Sequence, residues 1–134
     1  MNITYKLDNT NVDWAEMKAM LRADDFDNGR TPEQLRASFE NSAVACIAYD
    51  DEHIIGTARA LSDGVCNAYV VDVWTLAAYR NRGIARQMMQ HLLDRLPGQH
   101  VYLFTDDAEA FYDKLGFERQ GIGMSLVVGR WLQS

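Results

Sequence analysis

The sequence predicts an α/β fold: a mixed, mostly antiparallel sheet flanked by helices, with elements in the order β-α-α-β-β-β-α-β-α-β. Three observations carry that prediction. The hydrophobic pattern turns from helical to strand-like near Ala43 and helical again at Ile84. Turn signals at Asp50-Asp51-Glu52 and Ser62-Asp63-Gly64 divide the middle of the chain into three closely spaced strands, which predicts an antiparallel meander. The 134 residues, 48% hydrophobic, suit one core, and residues 1–134 show no linker, repeat or low-complexity stretch, so a single domain is expected.

Taken in order, "ITYKL" is a short alternating strand, and Trp14, Met17, Met20 and Leu21 line one face of a helix over Val12 to Arg22. After the loop "ADDFDNGR", Thr31 supplies an N-cap, Pro32 an N1 proline and Glu33 an early acid for a second helix ending near Asn41. "AVACIAY", "HIIGTARAL" and "VCNAYVVDVWTL" form the meander. Ile84, Met88, Leu92 and Leu96 recur every four residues and give a helix with a wide apolar face, closed by Pro97-Gly98. "HVYLFT" is mostly apolar and so reads as a central strand. Asp106 with Glu109 resembles a capping box opening a short helix whose inner side is Ala108, Phe111, Tyr112 and Leu115, with Gly116 as its C′ glycine. Phe117 onward, including "MSLVV", is expected to supply a final strand, whose exposed edge offers a pairing surface for a homodimer; a monomer is the other expectation.

The net charge of −6 argues against a general nucleic-acid binder, since phosphate backbones reward a basic surface. No apolar run is long enough to span a bilayer, and "MNITYKLDNT" lacks a basic-then-apolar secretion signal, so a cytoplasmic protein without membrane attachment is expected. Cys46 and Cys66 lie 20 residues apart without metal-ligand spacing. In the meander they fall on strands separated by a third, beyond disulfide reach, so both read as free thiols. His53, His91 and His100 share no spacing, and no metal site is expected.

Against that acidic background, "YRNRGIARQMM" places Arg80, Arg82 and Arg86 around Gly83 where a helix begins. Positive charge at a helix N-terminus opposes the macrodipole, so it points to an anion held there by unpaired amides and arginines together. Glycine lets the anion approach the backbone. The segment has no Gly-Lys-Ser/Thr of a P-loop and lacks the three glycines of a dinucleotide fingerprint. From spacing alone, a solvated arginine face paired with acidic residues stands beside the anion-site reading.

The string "TLAAYRNRGIARQMMQHLL" resembles the Arg/Gln-x-x-Gly-x-Gly/Ala segment of the GCN5-related N-acetyltransferase (GNAT) superfamily, through Arg80, Gly83 and Ala85. "AEAFYDKLGF", about 25 residues on, resembles that family's second signature, an aromatic pair and Leu-Gly-Phe ending a short helix. The resemblance covers roughly residues 43 to 120. It implies a GNAT-like sheet and transfer of an acetyl group from acetyl-CoA to a primary amine, by direct attack in a ternary complex. The pyrophosphate would lie on the amides of Asn81, Arg82, Gly83, Ile84, Ala85 and Arg86, with the arginines meeting its charge. Pantetheine would run along the strand end at Val73, Trp74 and Thr75, and a backbone amide there, from Trp74 or Thr75, would stabilise the oxyanion.

Tyr112 matches the family's usual general acid toward the departing thiolate; a phenol near pKa ~10 is a reasonable proton source for a thiolate near ~8.5. From helical spacing alone it reads equally as a core aromatic. Asp72, three residues before Thr75, is the candidate general base, with a water chain or a salt-bridged Asp72 as alternatives. Where the family often has an asparagine touching the cofactor, seven residues before the tyrosine, this sequence has Thr105. A small amine acceptor is expected. The alternatives are a non-catalytic acyl-CoA-binding module and an acetyltransferase acting on protein or peptide amines.

Overall fold

The chain begins with a short strand, β1 (Ile3–Lys6), and two helices, α1 (Trp14–Ala23) and α2 (Pro32–Glu40). The meander β2 (Val44–Asp50), β3 (His53–Ser62) and β4 (Asn67–Thr75) follows, then a 3-10 turn at Ala77–Tyr79, α3 (Ile84–Leu93), β5 (His100–Tyr102) and α4 (Glu109–Lys114). This is a computed structural model, and it describes residues 1–133. Internal packing divides the chain into two compact units, Met1–Tyr102 and Leu103 onward.

In the first unit the five strands lie in the order β1-β2-β3-β4-β5, antiparallel throughout except for the parallel β4–β5 pair. Helix starts follow the local chemistry. The Asp13 carboxylate accepts the Glu16 amide at 2.9 Å to open α1. At α2, Thr31 Oγ1 accepts the Gln34 amide at 3.1 Å and the Gln34 side chain accepts the Thr31 amide at 2.9 Å, a reciprocal box with Pro32 behind it.

Strand alternation then sorts side chains between two layers. Ala45, Ile47 and Tyr49 of β2 join Met17, Leu21, Leu35, Phe39, Ile54 and Trp74 in a core under α1 and α2. On the opposite face α3 buries Ile84, Met88, Met89 and Leu92 against the sheet. Gly56 of β3 permits close approach: a Cβ there would lie 3.0 Å from Met88 Cε and 3.1 Å from the Trp74 carbonyl oxygen. Cys46 of β2 is buried, Cys66 is exposed in the turn just before β4 and not on the strand where the sequence placed it, and both are free thiols.

Several expectations need correction. "HVYLFT" forms only a three-residue strand, and it lies at the sheet edge, because among the described residues no later strand pairs with its outer side. The segment after Phe117 forms no strand: Ile122, Met124, Leu126 and Val128 alternate as a half-buried strand would, yet are 92%, 90%, 86% and 85% exposed. The helix expected to run to Leu96 ends at Leu93. The box expected from Asp106 and Glu109 does not form; Ala108 is the N-cap of α4, Thr105 Oγ1 accepts its amide at 3.0 Å, and Glu109 instead pairs with Arg119 at 2.5 Å.

Candidate active site

The decisive irregularity lies in β4. Thr57 of β3 opposes Trp74 and Arg59 opposes Val71, so Asp72 and Val73 together face the single residue Ala58. This bulge puts Asp72 at φ +57°, a left-handed conformation that a non-glycine residue holds only when its surroundings enforce it. The buried Thr57 hydroxyl donates to the Asp72 carbonyl at 2.8 Å. Arg30 grips the Asp72 carboxylate with two nitrogens, Nη2 to Oδ1 at 3.0 Å and Nη1 to Oδ2 at 2.9 Å, while Arg59 Nε reaches Oδ2 at 2.7 Å. The three side chains are 8% to 11% exposed.

Beyond the bulge β4 loses its neighbour. Pairing with β5 stops at Tyr69 opposite Tyr102, so residues 70–75 have one backbone edge that β5 does not cover. At the strand end Thr75 carries a buried hydroxyl without a hydrogen-bond partner among the described residues.

The chain then passes through the 3-10 turn into a loop with two left-handed residues, Asn81 at φ +62° and Gly83 at φ +81°. Gly83 is the N-cap of α3 and offers no side-chain cap; the first helical bond runs from the Gln87 amide to the Gly83 carbonyl at 3.1 Å. The amides of Ile84, Ala85 and Arg86 therefore project from the helix end without a partner among the described residues. A Cβ on Gly83 would meet nothing within 4 Å, so the space before these amides is open. Consecutive amides beside left-handed residues form a concave anion cradle, reinforced by the helix dipole. Arg82 and Arg86 are exposed beside it.

Arg80 behaves differently from its neighbours. Its Nε donates to the Thr75 carbonyl at 3.0 Å and its Nη2 to Asp24 Oδ2 at 2.7 Å, so this guanidinium ties the loop to the end of β4. Asp24 Oδ2 also accepts the indole N–H of Trp74 at 2.8 Å, and Oδ1 the Ala77 amide at 3.3 Å. One carboxylate at the C-cap of α1 thus joins helix, strand end and loop. Tyr79 adds a second tether, its hydroxyl donating to Asp50 Oδ2 at 2.6 Å.

In the second unit, Tyr112 of α4 is buried with its ring edge-on to Phe111 and Phe117, centroids 4.9 and 5.8 Å away. Burial pushes its phenol above the ordinary value, so it stays protonated at neutral pH. The hydroxyl has no hydrogen-bond partner among the described residues.

A family model, the acetyltransferase (GNAT) family, matches residues 11–117, which span both units. The chain belongs to the GNAT family. Solved structures agree in fold. A GNAT-family acetyltransferase from Streptococcus pneumoniae TIGR4 is 26% identical over 96% of this chain and 99% of that one, with a TM-score of 0.78. A protein from Deinococcus radiodurans R1 assigned as an acetyltransferase is 26% identical over 93% and 88%, with a TM-score of 0.81. A GNAT-family protein from Xanthomonas campestris pv. campestris is 21% identical over 99% of both chains, with a TM-score of 0.82. The protein is an N-acetyltransferase of this family.

Within this GNAT domain the structure brings the amides around Gly83, the end of β4 and Asp72 into one unit, while Tyr112 and Thr105 lie in the other. Three residues of the site were missed by sequence reading: Asp24, Arg30 and Arg59. Asp24 and Arg30 sit in or beside the Asp-rich loop, and Arg59 is an arginine inside an apolar strand run, the one signal that the sequence does offer. Among the described residues no group of three or more His, Cys, Asp or Glu side chains is placed to hold a metal, and no helix is long and apolar enough to cross a membrane.

Proposed function

We propose that this enzyme transfers an acetyl group from acetyl-CoA to the primary amine of a small molecule, in a ternary complex, with both units acting as one acetyltransferase domain. The observation that carries this reading is the cradle at the start of α3, whose unpartnered amides and open space suit a pyrophosphate. Asn81, Arg82, Gly83, Ile84, Ala85 and Arg86 would hold those phosphates, Arg82 and Arg86 supplying the local positive charge that a molecule of net charge −6 otherwise lacks. Arg80 shapes the loop. The uncovered edge of residues 70–75 suits pantetheine, which would bring the thioester to Val73, Trp74 and Thr75; the orphan Thr75 hydroxyl is a ready donor for the acetyl oxygen. Acetyl-CoA supplies an activated acyl group at this point.

The amine attacks the acetyl carbonyl, the tetrahedral oxyanion is held by donors at the strand end, and the C–S bond breaks. Tyr112 would then give its proton to the thiolate, a role that suits a phenol held protonated and without a hydrogen-bond partner among the described residues. Asp72 was the candidate base, but both of its oxygens already accept from guanidiniums. A proton taken up there would have to displace one of these charge-assisted hydrogen bonds. We therefore assign Asp72 to positioning and the amine proton to water. Thr105, with Oγ1 accepting from Ala108, keeps a hydroxyl proton to donate to the cofactor. Two free thiols, one at the surface, suit the reducing cytoplasm.

Tyr112→Phe tests the assignment. Acetylation should fall about 100-fold, at the lower end of general-acid contributions, with acetyl-CoA affinity by calorimetry unchanged. A wild-type protein that binds acetyl-CoA and acetylates no amine in a broad panel would instead establish the non-catalytic module. Activity confined to peptide N-termini would replace the small-molecule acceptor.

A further inference from the structure

We infer that the Arg30–Asp72–Arg59 cluster is a receptor for an anionic group, a carboxylate or phosphate, carried by the acceptor amine. The inference rests on the acetyl-transfer reading only in naming the anion's carrier. Its first support is a charge imbalance. Two guanidiniums share one carboxylate, and among the described residues no other carboxylate lies within 4.0 Å of either. The cluster therefore keeps a surplus positive charge at side-chain exposures of 8% to 11%, where water compensates poorly.

The second support is unused bonding capacity. Arg30 is engaged at every guanidinium nitrogen, with Nε on Asn28 Oδ1 at 2.9 Å and both terminal nitrogens on Asp72. Arg59 is not: Nη1 reaches the Ser38 carbonyl and Ser42 Oγ only at 3.5 and 3.3 Å, and Nη2 makes no hydrogen bond among the described residues. A guanidinium with loose contacts on one edge and free donors is suited to a second oxyanion, for which Arg is the best fork. The third support is the strain at Asp72, φ +57° in the middle of a strand, which turns its carboxylate toward these arginines on the α1–α2 side. Backbone strain of this kind concentrates at functional sites. The cluster sits three residues from Thr75, where the proposed acetyl group would lie, so an amine tethered to the anion has a short reach.

A purely structural triad makes the opposite prediction for one variant. Arg59→Met leaves the two-pronged Arg30–Asp72 pair intact and electrically neutral. If the surplus charge serves a ligand, the variant should melt within about 2 °C of wild type when no anion is added, whereas loss of a needed structural ion pair shifts a domain of this size by several degrees.

The test pairs amines that differ only in charge: β-alanine with β-alaninamide, and phosphoethanolamine with ethanolamine. Wild type should prefer one anionic member by at least tenfold in kcat/KM, and the pair that shows it tells carboxylate from phosphate. Arg59→Met should bring that ratio close to one, and Arg59→Lys should recover part of it. Independently of turnover, succinate or inorganic phosphate at constant ionic strength should raise the melting temperature of wild type but not of Arg59→Met. Equal kcat/KM within both pairs, or an Arg59→Met protein that melts far lower with its preference intact, overturns the inference while leaving acetyl transfer standing. Anion-dependent melting without acetylation of any amine would keep the receptor and overturn the reaction.

Discussion

Removing the Asp24 carboxylate should unfasten the loop proposed to hold the cofactor. Asp24→Ala deprives three donors of their acceptor: the Trp74 indole at 2.8 Å, Arg80 at 2.7 Å and the Ala77 amide at 3.3 Å. Their exposures decide the magnitude. Trp74 is 2% exposed, so its N–H is left without water and costs about 1–3 kcal/mol. The Arg80 side chain is 53% exposed, so solvent replaces most of that ion pair and its loss adds at most about 1 kcal/mol. The long bond from exposed Ala77 adds little. A total near 2–3 kcal/mol corresponds to a melting temperature lower by about 6–10 °C for a chain of this length. Asp24→Asn keeps a carbonyl for the indole and should recover more than half of the loss. In binding, the Ala variant frees Arg80 and the 3-10 turn, so acetyl-CoA affinity should drop about tenfold while the step proposed for Tyr112 is unaffected. Differential scanning fluorimetry and calorimetric titration with acetyl-CoA measure both. An Asp24→Ala protein within 1–2 °C of wild type and with unchanged acetyl-CoA affinity would refute the tether, because the buried indole would then have found another acceptor.

Gly83→Val should abolish measurable acetyl-CoA binding by calorimetry and lower stability by about 1–3 kcal/mol, since a β-branched residue is strained at φ +81° and its side chain would fill the open space before the amides. The pH dependence of stability should carry a mark from Cys46, whose thiol burial pushes up from 9.0 to about 12. The unfolded thiol ionises first, so this contribution is complete below pH 9 and is lost as pH rises toward 12, by about 1.4 kcal/mol per unit. Cys46→Ala should flatten that part of a denaturation-versus-pH profile, and native Cys46 should resist a thiol reagent that modifies the exposed Cys66.

Most of the fold was legible because its signals are local. Thr31-Pro32 with Glu33, the four-residue spacing from Ile84 to Leu92, and the Asp-rich turns each act within a few residues, and tertiary packing did not override them. What failed was non-local. The apolar content of "HVYLFT" suggested a central strand, but centrality is a property of neighbours, and the alternating Ile122–Val128 run forms no strand beside it. At the site, the cradle was readable because glycine, arginines and a helix start are contiguous. The arginine cluster was not, because Arg30 and Asp72 are separated by 42 residues and meet only once β3, β4 and the loop after α1 are assembled.

The bulge at Asp72 also sets which changes in length the chain tolerates. Before it, odd-numbered Val71 stands beside Arg59 on the α1–α2 side; after it, even-numbered Trp74 occupies that side and Thr75 pairs with Gly56 under α3. The extra residue therefore reverses the parity of everything downstream. Losing a single residue here would straighten the strand but swing the indole away from Asp24 and bury the wrong side of the strand end. Insertions or deletions elsewhere in β4 would scramble the same phase. Within β4, the position where counting by two breaks down keeps Trp74 on the α1–α2 side and Thr75 on the α3 side.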